Sequence, residues 1–246
     1  MLDILFARTF LIVASMLCLT AVTAKANRYF ETKVEMWATV IISFLLLFLI
    51  LGFSDSFPLN IGLVAGFSLA VGWSIGPTIE YFGTIFKLKK YLRDQGIELG
   101  KDESPTDEQM EGFEASFDKD AYHKEWQNTV FQAVLGTAIA VAATAGIVFL
   151  TDIDFGFLGS FLFISLIILV AMGLMNVFFI KSRMLSLIRA YAGAVIFTLY
   201  LLYDFDQLQK HAGDESWSTA IEISVHLYLD IINLFLDLLQ ILAEFS

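Results

Sequence analysis

Six side chains able to do chemistry fall in one apolar stretch near the end of this chain, residues 221–242. They are Glu222, His226, Asp230, Asn233, Asp237 and Gln240. On a helix advancing about 100° per residue, with Glu222 at zero, the other five fall at about 40°, 80°, 20°, 60° and 0°, so all six lie within an arc of about 80°. Asp230 stands nine residues into the stretch, roughly 13 Å along the helix, which is near mid-membrane if the stretch crosses a bilayer. A carboxylate there costs on the order of 2.5–3.5 kcal/mol, so acids at such positions usually face a partner, a water-filled cavity or an ion path. Asp230 is therefore the primary candidate. Glu222, His226, Asn233 and Asp237 are candidates for lining a proton or ion route, with His226 able either to relay protons or to serve as a hydrogen-bonding group.

Two other origins for the stripe carry less weight. A helix lying flat on a membrane would show a broader polar face rich in Lys and Arg, whereas this one is narrow, acidic and free of bases. Packing by interhelical hydrogen bonds is a fair account of Asn233 and Gln240 and a weaker one of Asp230.

The elements that must carry these residues are set by hydropathy. Of the 246 residues 57% are hydrophobic and 17% charged, with a mean hydropathy of +0.72; soluble domains average about 45–50% and about 25%. The apolar residues fall in blocks near the ~20 residues that cross ~30 Å of hydrocarbon. Seven spans are expected, an all-α polytopic membrane protein: residues 2–23, 36–54, 61–86, 129–150, 158–180, a sixth from 184 to at least 203 that extends through Asp204 and Asp206, and 221–242. Val22-Thr23-Ala24 also fits a signal-peptide cleavage site as an alternative reading of the first block. The third span is rich in small residues, which favour close helix packing, and Gly76-Pro77 should bend it. The chain reads as one membrane domain, 1–246, interrupted by a hydrophilic insertion at 87–127 holding 7 Lys/Arg and 11 Asp/Glu. Within it, Thr106 and Gln109 fit a capping box ahead of Met110, Phe113 and Phe117, so a short amphipathic helix is expected.

A formal charge of −11 speaks against nucleic acid and favours cations. Cys18 is the single cysteine, so no intramolecular disulfide or cysteine metal site exists. Asp118 and Asp120 could open an EF-hand loop, but its sixth position would be His123 instead of Gly and its twelfth Thr129 instead of Glu. Glu80, Glu222 and His226 are too few ligands for an intramembrane metalloenzyme, and no hydrolase motif accompanies them. An enzyme is not expected, and neither is a cofactor.

The words Leu227-Tyr228-Leu229-Asp230-Ile231-Ile232-Asn233-Leu234-Phe235 and Tyr200-Leu201-Leu202-Tyr203-Asp204 resemble the Bax inhibitor family of membrane proteins in its bacterial form. Ala133-Val134-Leu135-Gly136-Thr137, Asp154-Phe155-Gly156-Phe157-Leu158-Gly159 and Asn176-Val177-Phe178 support it. The resemblance covers residues 129–242 well and the first three spans loosely. It implies seven helices with the seventh central and enclosed by the other six, and a pair of aspartates on spans six and seven acting as pH sensor of a calcium leak. Residue by residue, that pair falls on Asp204 and Asp230, which would also be the ion-binding residues. Two carboxylates at low dielectric cannot both ionise easily and so share a proton, while calcium requires oxygen ligands. Protons and Ca²⁺ would compete. The two aspartates reach similar depth only if span six continues about two turns past Asp204, towards Gly213.

This chain departs from the family pattern in three places. Bacterial calcium-leak members carry an acid and an arginine in or just after span two, the arginine locking the aspartates. Residues 36–54 here hold no ionisable side chain and 52–60 no base, so Arg189 or Arg8 would have to supply the lock. The insertion at 87–127 is unusual. The resemblance also implies a cytoplasmic N-terminus, whereas the bases after spans one, three and five (Lys25, Arg28, Lys33; Lys87, Lys89, Lys90, Arg93; Lys181, Arg183) place it outside.

Two functions are expected. The first is a pH-sensitive Ca²⁺ (cation) leak channel in a bacterial inner membrane, whose partners are the lipid bilayer, Ca²⁺ and protons. The second is a non-conducting regulator of membrane proteins, in stress survival or membrane proteolysis, that docks a membrane-protein partner through 87–127.

Overall fold

The computed structural model describes residues 3–97, 106, 119–151 and 153–245. Among them are seven helices long and apolar enough to cross a membrane: α1 (Ile4–Ala26), α2 (Lys33–Gly52), α3 (Leu59–Asp94), α4 (Lys119–Leu150), α5 (Leu158–Met175, continued by a π-helical turn Asn176–Ile180), α6 (Arg183–Lys210) and α7 (Trp217–Phe245). The chain is a multi-pass integral membrane protein.

Local chemistry sets the helix ends. The Asp3 carboxylate accepts the Leu5 N–H at 2.8 Å and starts α1. Thr32 Oγ1 accepts the Glu35 N–H at 3.1 Å while Glu35 reaches back to the Glu31 N–H at 2.9 Å, a capping-box arrangement that opens α2. Ser216 Oγ accepts the Thr219 N–H at 3.2 Å at the head of α7. Asp214 accepts the Ser216 N–H and the Thr219 hydroxyl, and these bonds, that from Thr219 foremost, hold its carboxyl below the usual carboxylate range. The π-turn ends at Lys181, whose φ of 52° closes it with an N–H donated to Asn176 O at 2.7 Å.

Chain contacts group the residues into two compact units. One holds Met1–Glu80, Thr144–Gly156 and Leu201–Ile231; the other holds Tyr81–Ala143, Phe157–Tyr200 and Ile232–Ser246. Helices α3, α4, α6 and α7 each give one part to either unit.

In the first unit α7 is surrounded. Tyr228 is wholly buried, its hydroxyl 2.6 Å from Thr20 Oγ1 of α1 and its ring edge-on to Phe67 of α3. Ser224 Oγ donates to Thr9 O of α1. The small residues of α3 divide by position: a Cβ on Gly72 would overlap Thr23, and one on Gly76 would overlap the Asn27 carbonyl, whereas one on Gly62 would meet nothing. Close packing of α3 against α1 is thus confined to its middle. Helix α3 stays helical through Pro77.

In the second unit α7 meets α3, α4 and α6. Lys89 lies 2.6 Å from Glu244, Arg183 3.0 Å from the same carboxylate, Gln240 donates to Ser186 Oγ at 2.7 Å, and Leu238 touches the Cα face of Gly136. Partners on several helices within each unit are the setting expected of a central helix.

The polar insertion begins and ends differently from its hydropathy. Helix α3 runs eight residues beyond Phe86, and α4 starts ten residues before Thr129. The reason is packing between these polar flanks. Leu88, Tyr91 and Leu92 form a buried cluster joined by Tyr122, Phe86 lies tilted against Trp126 with ring centres 5.5 Å apart, Lys90 pairs with Glu125, and Tyr122 donates to Asp94 at 2.7 Å. Amphipathic turns with long polar side chains satisfy helix geometry outside the apolar blocks. The capping box and amphipathic helix expected around Gln109, Met110, Phe113 and Phe117 lie outside the described residues, as does Asp118; Asp120 falls in the first turn of α4.

Candidate functional site

Helix α6 continues to Lys210, six residues past Asp204, and the chain then turns at Gly213, whose φ of 90° suits glycine. The extra turns bring α6 alongside α7. Asp204 and Asp230 meet carboxyl to carboxyl in hydrogen-bond contact. Both are buried, 3% and 6% exposed. One oxygen of each, Oδ2, has no hydrogen-bond partner among the described residues. Two carboxyls in contact hold a proton between them, because two charges there repel at low dielectric. The free oxygens are the acceptor capacity left for a cation or water.

His226 interacts electrostatically with Asp204 and is exposed, as is Glu222. Asn233 is half-buried. No third acidic, His or Cys side chain among the described residues completes a metal-binding group with the pair.

The bases considered for a lock lie elsewhere. Arg8 donates to the Glu215 carbonyl and stacks 4.4 Å over the Trp217 ring. Arg189 Nη2 lies 3.6 Å from Asp237 Oδ1. Neither forms an ion pair with Asp204 or Asp230 among the described residues. Asp237 is buried in the second unit, its Oδ2 without a hydrogen-bond partner among the described residues and pressed where a Cβ on Gly193 would sit.

Sequence reading passed over one further cluster. Lys210 Nζ binds Asp154 Oδ1 at 2.5 Å and Asp206 Oδ2 at 2.7 Å, tying the α4–α5 loop to the end of α6. The Lys210 hydrogen bond, with that of the Gly156 N–H, holds the Asp154 carboxyl below its usual range. The i,i+4 spacing of Asp206 and Lys210 was a visible signal; the arrival of Asp154 was not.

Residues 120–246 match the family model described as inhibitor of apoptosis-promoting Bax1. The chain is 38% identical over 117 residues to an uncharacterized protein of Campylobacter jejuni, 48% of each chain. It is 47% identical over 88 residues to Protein LIFEGUARD 4 of Arabidopsis thaliana, 36% of this chain and 34% of that one. It is 36% identical over 115 residues to the Golgi anti-apoptotic protein of vaccinia virus (strain Lister), 47% of each. The matches to these curated relatives span about half of their length or less. The spans and the family match over residues 120–246 converge: this chain is a membrane protein of the Bax inhibitor family.

Proposed function

We propose that this protein is a pH-sensitive cation leak channel of a bacterial inner membrane, with Ca²⁺ as its cargo and Asp204 with Asp230 as sensor and ion-binding pair. The observation that carries the reading is the contact between these two buried carboxyls on α6 and α7, each with an oxygen that has no partner among the described residues. A shared proton neutralises the pair; its loss creates negative charge that only a cation can balance at that depth. Ca²⁺ occupancy therefore rises with pH, and protons displace the ion as pH falls. Exposed Glu222 and His226 supply an approach to the pair for protons and ions, and Asn233 and Asp237 are candidates for continuing the route along α7. The relative in Campylobacter jejuni supports the bacterial membrane.

The test is Ca²⁺ flux in proteoliposomes between about pH 6 and pH 8. Wild-type flux is expected to vary with pH, and Asp204→Asn and Asp230→Asn are each expected to flatten the profile and lower flux. Unchanged, pH-independent flux in both variants would sink the reading.

A second function rests on a different observation, the name Golgi anti-apoptotic protein borne by a relative. On that reading the chain is a non-conducting regulator and the insertion at 87–127 its docking surface. Deleting residues 101–120 would then abolish biological activity, while liposomes carrying the wild type show no flux.

A further inference from the structure

The turn joining α1 to α2 frames an open cleft of about 520 Å³. Its lining combines two carboxylates, Glu31 and Glu35, two aromatic rings, Trp73 and Tyr29, one guanidinium, Arg28, and the amide of Asn27. The walls are built in. Asn27 is buried, 6% exposed, and donates to the Trp73 carbonyl at 2.8 Å. Trp73 Nε1 donates to Glu35 Oε1 at 3.0 Å, and the other oxygen of Glu35 accepts the Glu31 N–H at 2.9 Å. Both oxygens of Glu35 are thus fixed by neutral donors. Among the described residues no ion pair joins Glu31 or Glu35 to a base.

We propose that this cleft binds the headgroup of a zwitterionic phospholipid, its ammonium against Glu31, Glu35 and the aromatic rings, and its phosphate on Arg28. A fixed carboxylate at the N–H edge of an indole, with a second carboxylate and a tyrosine ring lining the same cleft, is a cation site, since carboxylate charge and ring quadrupoles both attract an ammonium. Arg suits phosphate through its planar fork of donors. A purely anionic headgroup would face two carboxylates against one base. The cleft also lies at the first turn of α2 (Lys33–Gly52), where its apolar run begins, the level at which headgroups are expected and Trp and Tyr concentrate in membrane proteins. That position favours a lipid over a free solute of the same chemistry.

The test titrates the full chain in detergent with a short-chain phosphatidylethanolamine, a short-chain phosphatidylglycerol and water-soluble phosphoethanolamine, reading affinity and thermal unfolding. Phosphatidylethanolamine alone is expected to bind and stabilise. Glu31→Gln and Arg28→Gln should each weaken it by about tenfold. The Glu31 link to Glu35 runs through its backbone N–H, so Glu31→Gln should unfold without lipid at the wild-type temperature. If both variants keep wild-type affinity, or if the two lipids bind alike, the assignment is wrong. Tighter binding of free phosphoethanolamine than of the lipid would replace the membrane source by a soluble one.

Discussion

Gly193 is a residue whose missing methyl leaves room for a buried carboxylate. A Cβ there would overlap Asp237 Oδ2, so Gly193→Ala must push a buried carboxylate away from α6. The cost expected for such overpacking is about 1–3 kcal/mol, read as a lower unfolding temperature in detergent. Arg189, a third exposed at its side chain, is the base beside Asp237. Arg189→Gln should destabilise the protein by about 1–3 kcal/mol, because it leaves a buried charge without its partner. Adding Asp237→Asn to that variant should recover part of the loss, which separates a charge effect from a packing effect. Asp237 was visible in the sequence as a member of the acidic stripe, and Arg189 as a candidate lock near the start of span six. Their pairing was not, since helix periodicity gives the face of α7 but not which residue of α6 that face meets.

Between elements, the tie that Lys210 makes from α6 to the α4–α5 loop gives a pH dependence with a definite sign. The Lys210 hydrogen bond depresses the Asp154 carboxyl in the folded protein. A depressed carboxylate stabilises the fold above its ordinary range, and that contribution disappears as pH falls through the lowered folded value. Hydrogen exchange of residues 153–157, taken relative to the intrinsic exchange rate at each pH, should therefore be slow at neutral pH and rise on acidification in the wild type. In Lys210→Gln it should be faster at neutral pH and less dependent on pH. Packing of α3 on α1 is the second inter-element contact open to a direct check. A Cβ on Gly76 would strike the backbone carbonyl of Asn27, a group that cannot rotate aside, so Gly76→Ala should lower the yield of folded protein on gel filtration. Gly62→Ala, with open space around it, should not.

For the whole molecule, the two helical flanks of the insertion close on each other through Leu88, Tyr91, Leu92 and Tyr122. Replacing residues 99–117 by a short Gly/Ser linker should leave the unfolding temperature near wild type, since the buried contacts of that stem remain. The number and order of the spans were legible in the sequence because a bilayer demands ~20 apolar residues per crossing and tolerates few charges. The acidic face of the last span was legible too, because helix periodicity places residues by number alone. The helical extensions Lys87–Asp94 and Lys119–Asn128 were not, because side-chain contacts between the two flanks, and not hydropathy, keep them helical. Nor could the sequence by itself decide that Asp204 and Asp230 touch, that Arg8 and Arg189 pair elsewhere, or that Asp154 reaches Lys210. Each depends on the axial offset and rotation of one helix against another, quantities that local propensity leaves free and only the packed tertiary structure sets.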